Sequence, residues 1–158
     1  MNTEEEIKKN IYSLFSSVAS SIGYSPLHGE IIGLLLISDR TLSLQEIADE
    51  LGYSLSMISL SLDLLEVLGV IKKVKKSGDR KLYVNLSGDL LEILKKAILF
   101  KLQTNIKDSL AGFEKSKQDV QKLRTPEKKQ LEKSVQILED NIKRLERYVK
   151  LLSEIRLP

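Results

Sequence analysis

The sequence predicts a mainly α protein interrupted once by a short two-stranded β hairpin, and three observations carry that expectation. Apolar residues recur at steps of three and four along most of the chain. The period changes to that of strands only between Val70 and Leu86. Charge changes at the same place: residues 41–69 hold Glu46, Asp49, Glu50, Asp63 and Glu66 with no Lys or Arg, whereas residues 70–87 set Lys72, Lys73, Lys75, Lys76, Arg80 and Lys81 against Asp79 alone.

Taken in order, Ile7, Ile11, Leu14, Phe15, Val18 and Ile22 form one apolar stripe on a first helix from Thr3 to Ile22, and Gly23 stops it. Ser25-Pro26 then reads as a cap with proline at the first helical position, opening a helix from Leu27 to Ser38. Its apolar run, Ile31 to Ile37, implies burial on most sides. Gly29 and Gly33 lie four apart on one face, which suits close approach of another helix better than a ligand contact. His28, the only histidine, is read as structural or surface, although a lone histidine can also sense pH.

Ser43 to Gly52 reads as a capped helix with Ile47, Ala48 and Leu51 turned inward and a glycine at its end. Ser54 opens a fourth helix running to Gly69, with Ile58, Leu62 and Leu65 on the core side. The opposite arc carries Ser56, Leu60, Asp63 and Val67, flanked by Ser59 and Leu64. Val70 to Lys76 and Lys81 to Leu86 read as strands joined at Ser77-Gly78-Asp79-Arg80, which has hairpin-tip chemistry. This order of elements is a winged helix-turn-helix with a two-stranded β wing.

Ser87 to Asp89 suggests a cap for a long helix bearing Leu91, Leu94, Ile98, Leu102, Ile106, Leu110 and Phe113 on one side. Thr125-Pro126-Glu127 predicts a restart, with Thr125 as the cap. From there Leu131, Val135, Leu138, Ile142, Leu145, Val149 and Leu152 alternate steps of four and three over about three heptads, the coiled-coil seam pattern. Such a stripe needs a partner, either the preceding helix or a second copy of the chain. The expected organisation is residues 1–24 as part of a dimerisation region, 25–87 as the winged helix-turn-helix, and 88–158 as long, coiled-coil-like dimerisation helices.

Composition excludes several classes. With no Cys there is neither a disulfide framework nor a thiolate metal site, and a single His provides no metal cluster. No nucleophile, base and orienting group fall into a recognisable set, so an enzyme is not expected and no cofactor is implied. The longest apolar run is far shorter than the roughly 20 residues that span a bilayer, and Met1 to Asn10 lacks the basic-then-apolar order of a signal peptide. A soluble cytoplasmic protein without a membrane partner is expected.

For a winged helix the expected partner is double-stranded DNA. The candidate reading residues on the fourth helix are Ser54, Ser56, Met57, Ser59, Leu60 and Asp63. Serines can meet base edges or phosphates, and Leu60 or Met57 can lie on a thymine methyl. Against this, the helix lacks the Arg or Lys that most often contacts guanine. The wing residues Lys72, Lys73, Lys75, Lys76, Arg80 and Lys81 suit phosphate contact, with Arg80 at the tip suited to a minor groove. The alternative is a protein-interaction module using the apolar and acidic arc of Leu60, Asp63, Leu64 and Val67.

Leu44-Gln45-Glu46-Ile47-Ala48-Asp49-Glu50-Leu51-Gly52, then Ser54, Ile58-Ser59, Leu62, Leu65-Glu66 and Gly69, then Gly78-Asp79-Arg80-Lys81 with Tyr83, resemble the MarR superfamily and within it the GbsR-like, archaeal-type regulators. The resemblance covers Thr3 to Leu86 in order and spacing and continues beyond only as long helices. It implies a homodimeric transcriptional regulator whose terminal helices form the dimer, with a small-molecule effector, of no assigned identity or site, as a further partner. Arg80 matches the family's wing arginine. Ser54-Leu55-Ser56-Met57 departs from the Ser-Lys-Gly-Asn common at the start of GbsR-like recognition helices, and Asp63 stands where a basic residue is common.

Overall fold

A computed structural model describes every residue from Met1 to Pro158. The elements are α1 (Glu4–Ile22), α2 (Pro26–Ser38), β1 (Leu42–Ser43), α3 (Leu44–Leu51), α4 (Leu55–Val67), β2 (Ile71–Lys75), β3 (Leu82–Leu86), α5 (Leu90–Gln121) and α6 (Lys128–Glu154). The chain forms two compact units, Met1–Ala97 and Ile98–Pro158. No helix is long and apolar enough to cross a membrane.

In the first unit the helix starts follow from side-chain capping. Thr3 and Glu6, and again Ser43 and Glu46, form reciprocal capping boxes at α1 and α3. Ser25 caps α2 with Pro26 at its first position, and Gly23 and Gly52 close α1 and α3 in the left-handed conformation. The core is aliphatic: Ile31, Ile47, Ile58, Leu62 and Val84 are fully buried. A Cβ on Gly29 would overlap the carbonyl of Phe15, and one on Gly33 would lie 3.2 Å from the Phe15 ring. The two glycines therefore serve the close crossing of α1 and α2, as their spacing suggests.

α1 departs from the single stripe expected of it. Tyr12 and Ala19 are the buried residues, while Ile7, Leu14 and Val18 are exposed, Leu14 by 66%. The packing direction is rotated because α2 meets α1 through glycines, so the helices approach at Phe15 rather than along the whole aliphatic row. His28 is half-buried, its ring edge-on to Tyr24 at 6.1 Å. The Tyr24 hydroxyl donates to the carbonyl of Ala97 at 2.6 Å, and burial pushes its pKa up.

The hairpin belongs to a three-stranded antiparallel sheet in the order β1-β3-β2, one strand more than the sequence predicts. β1 is only Leu42 and Ser43, opposite Val84 and Tyr83 of β3, too short to show a period of its own. β2 pairs with β3 from Ile71 opposite Leu86 to Lys75 opposite Leu82.

α5 starts with Asp89 and Glu92 exchanging backbone and side-chain hydrogen bonds, as expected of a cap at Ser87 to Asp89. In the second unit α6 does not start at Thr125. The Lys128 N–H bonds to the Thr125 carbonyl, so Thr125-Pro126-Glu127 form a tight turn, and Glu127 flanks the helix in helical geometry without a side-chain cap. The seam on α6 also splits. Val135, Ile142 and Val149 turn inward, with Val149 buried, whereas Leu131, Leu138 and Leu145 stay exposed. Beside the inward residues lies Glu139, 5% exposed and held by Lys117 at 2.6 Å and Lys143 at 2.8 Å. Those two ammonium groups, Lys117 foremost, hold its carboxyl below the usual range.

Candidate nucleic-acid interface

α4 is positioned from its start and from beneath. Ser54 accepts a hydrogen bond from the Met57 N–H at 3.3 Å, so the oxygen expected to meet DNA is the helix cap. Ile58, Leu62 and Leu65 face the core. That leaves Ser56, Met57, Leu60, Asp63 and Val67 at the surface, with Leu60 71% and Val67 72% exposed. Ser59 and Leu64 are half-buried at the flanks. Along the helix Leu60, Asp63 and Val67 stand at steps of three and four, so they form one outward row.

Alternation along β2 divides the wing lysines between two faces. Lys73 lies on the same face as Ile71 and Val84, its register partner, and its side chain is only 21% exposed. Its aliphatic stem runs inward and its ammonium emerges beside α4, 2.5 Å from Asp63 and 3.0 Å from Glu66. Both carboxylates raise the Lys73 pKa, Asp63 first. Lys76, just past the strand, stacks over the Tyr83 ring, 3.9 Å from its centroid. Lys72, Lys75, Lys76, Arg80 and Lys81 are exposed.

The tip is a tight turn from Lys76 to Asp79, closed by the Asp79 N–H to the Lys76 carbonyl at 3.1 Å. Gly78 has φ of +75°, the left-handed geometry that this third turn position requires. Asp79 then accepts from the Lys81 N–H at 2.9 Å and from the Tyr83 hydroxyl at 2.7 Å. The hydroxyl first, and then the N–H, hold its carboxyl below the usual range, and the same bond raises the Tyr83 phenol. The one acid of the wing therefore fixes the backbone on both sides of Arg80.

The wing cations can be named from the sequence, whereas Asp79, Tyr83 and Glu66 receive their roles only from the structure. A signal existed for Asp79, because an aspartate two residues before a backbone N–H in a Gly-containing turn is the Asx-turn pattern. None existed for Glu66, whose partner lies on another element. Elsewhere in the first unit, Phe15, Ile32, Leu65, Ile93 and Ala97 help to enclose a cavity of about 50 Å³, well short of the roughly 300 Å³ at which small-molecule pockets begin. No group of three or more His, Cys, Asp or Glu is placed to hold a metal ion.

No protein-family model matches the chain, and no curated protein does either. Among solved structures, one described as the crystal structure of a transcriptional regulator is 19% identical, with a TM-score of 0.58 over 91% of this chain and 99% of that one. The transcriptional regulator BldR from Sulfolobus solfataricus is 18% identical, with a TM-score of 0.44 over 89% and 86% of the two chains. A mutant of S. aureus MepR bound to an oligodeoxyribonucleotide is 17% identical, with a TM-score of 0.45 over 86% and 92%. At 19% identity and a TM-score of 0.58, the first likeness is one of fold: a mainly helical chain with a small antiparallel sheet, arranged as a winged helix-turn-helix.

Proposed function

We propose that this chain is a cytoplasmic, homodimeric, DNA-binding transcriptional regulator of the MarR superfamily, in its GbsR-like branch, and that residues 25–87 engage the duplex. One observation carries the proposal. The cations Lys72, Lys75, Lys76, Arg80 and Lys81 stand exposed on the wing, the outer row of α4 is exposed as well, and Lys73 fastens the wing to that helix. The cations supply phosphate contact, Arg80 enters the minor groove, and Ser56, Met57, Ser59, Leu60 and Asp63 face the major groove. Lys73 and Ser54 position the wing and the helix.

Exposed apolar rows support the dimer. Ile7, Leu14 and Val18 lie on one line of α1, and Ile137, Leu138, Leu145, Tyr148 and Leu151 are exposed on α6. Rows of this kind suit subunit contacts and support residues 1–24 and 88–158 as the dimerisation regions. Sizing should give twice the mass of one chain, and Leu138→Asp with Leu145→Asp should reduce it to one.

Titration of a duplex at rising salt tests the DNA proposal. Affinity should fall steeply, and Arg80→Ala should reduce the log–log slope by about 0.9 for each phosphate that the variant no longer neutralises. Affinity that stays flat with salt overturns it. A second reading, a protein-interaction module, is favoured by the exposure of Leu60 and Val67. It is weakened by Lys73, which brings the basic strand beside the same row instead of facing it elsewhere.

A further inference from the structure

α4 carries no Arg, Lys, Asn, Gln or His from Leu55 to Val67. It thus lacks every side chain that pairs bidentately with guanine or adenine in the major groove. Its acids are also committed: Asp63 and Glu66 both hold Lys73, so neither stands as an open acceptor for the cytosine amino group. What the helix offers outward is aliphatic, with Leu60 71% and Met57 48% exposed in the first two turns beyond the Ser54 cap. Ser56 lies beside them, and a serine hydroxyl meets donors and acceptors alike, so it adds affinity without choosing a base.

Only one base feature in the major groove is apolar, the 5-methyl group of thymine. Recognition helices meet base edges with their N-terminal residues, and this is where Met57 and Leu60 stand, whereas Val67 is about 10 Å further along the axis. Resting on the DNA-binding reading above, we infer that α4 selects its site by the 5-methyl groups of thymine, through Leu60 and Met57, and not by hydrogen bonds to guanine. Lys73 is part of the same device. By pairing with both Asp63 and Glu66 it offsets half of their charge and eases the approach of an acidic helix to the groove beside the phosphates that Lys72, Lys75 and Lys76 hold.

The test begins by selecting bound sequences from a random duplex library with the full-length protein. Each thymine of the selected site is then replaced by deoxyuridine, which removes the methyl and leaves every hydrogen-bonding group in place. Removing a methyl that rests on the helix should weaken binding about threefold to fivefold. Leu60→Ala combined with Met57→Ala should bind thymine and deoxyuridine duplexes equally while keeping the wild-type salt slope. Because Leu60 and Met57 are exposed, that variant should melt with the wild type. Salt-dependent binding that is indifferent to the exchange overturns the methyl reading and leaves DNA binding standing. The absence of salt-dependent duplex binding overturns both.

Discussion

The ammonium of Lys73 on β2 lies 2.5 Å from the carboxylate of Asp63 on α4, joining the wing to the helix beside it. The basic strand and the acidic helix thus neutralise each other where they meet. We expect Asp63→Asn to release part of the Lys73 charge toward solvent. Non-specific duplex affinity should then rise, with the salt slope steepening by up to about 0.9. Fluorescence anisotropy on an arbitrary duplex checks this, and an unchanged slope would mean that Glu66 alone keeps Lys73 engaged.

Asp79 supports a prediction that runs against its charge. Removing an acid from a basic tip should strengthen duplex binding on Coulombic grounds. Yet Asp79 holds the Lys81 N–H and the Tyr83 hydroxyl, so Asp79→Ala should weaken binding by loosening the backbone around Arg80. Faster amide exchange at Lys81 should accompany the weaker binding. The carboxyl is depressed in the folded chain, so its stabilising bonds are present above the ordinary carboxylate pKa of about 4 and are lost as pH falls through the lower folded value. The tip should therefore keep its shape at pH 5 and open in stronger acid.

Gly29→Ala should be severe for so small a change. The added carbon meets the Phe15 backbone, which cannot rotate away as a side chain can. A destabilisation of about 3 kcal/mol is expected, read as a lowered thermal midpoint. Gly33→Ala, which meets only the Phe15 side chain at 3.2 Å and gains helix propensity, should change the midpoint far less than Gly29→Ala.

Tyr12, buried in α1, donates to Glu50 on α3 at 3.1 Å, and its pKa is pushed up to about 12 by burial first and then by that carboxylate. Tyr12→Phe should cost about 1 kcal/mol at neutral pH. A phenol with a raised folded pKa gives its full contribution below the unfolded value near 10 and loses it as pH rises toward 12. Alkaline unfolding should consequently be less steep in Tyr12→Phe than in the wild type.

The local parts of this fold were legible because each carries its own signal. Serine and threonine caps, glycine stops and the change of period at Val70 mark α1 to α4 and the hairpin without reference to anything distant. What escaped depends on partners far along the chain. The α1 stripe looked uniform because hydrophobicity does not say which aliphatic row meets α2, and only the overlap at Gly29 and Phe15 sets that direction. Thr125 had the residue type of a cap, but the turn that follows it uses its carbonyl, not its hydroxyl. At the interface the basic residues of the wing could be read directly. The removal of Lys73 from the free set could not, since Asp63 and Glu66 sit on a different element.

The strand order β1-β3-β2 leaves β2 at one margin of the sheet, the longer of the two edge strands. A bare margin exposes unpaired N–H and carbonyl groups on which another chain can zip, the common route to fibrillar aggregation. Lys72 and Lys75 flank that margin on opposite sides of the ribbon, so a second copy brought alongside in the same way would set ammonium against ammonium. The wing is thereby guarded against its own kind by mutual repulsion, a safeguard for solubility that requires no ligand at all.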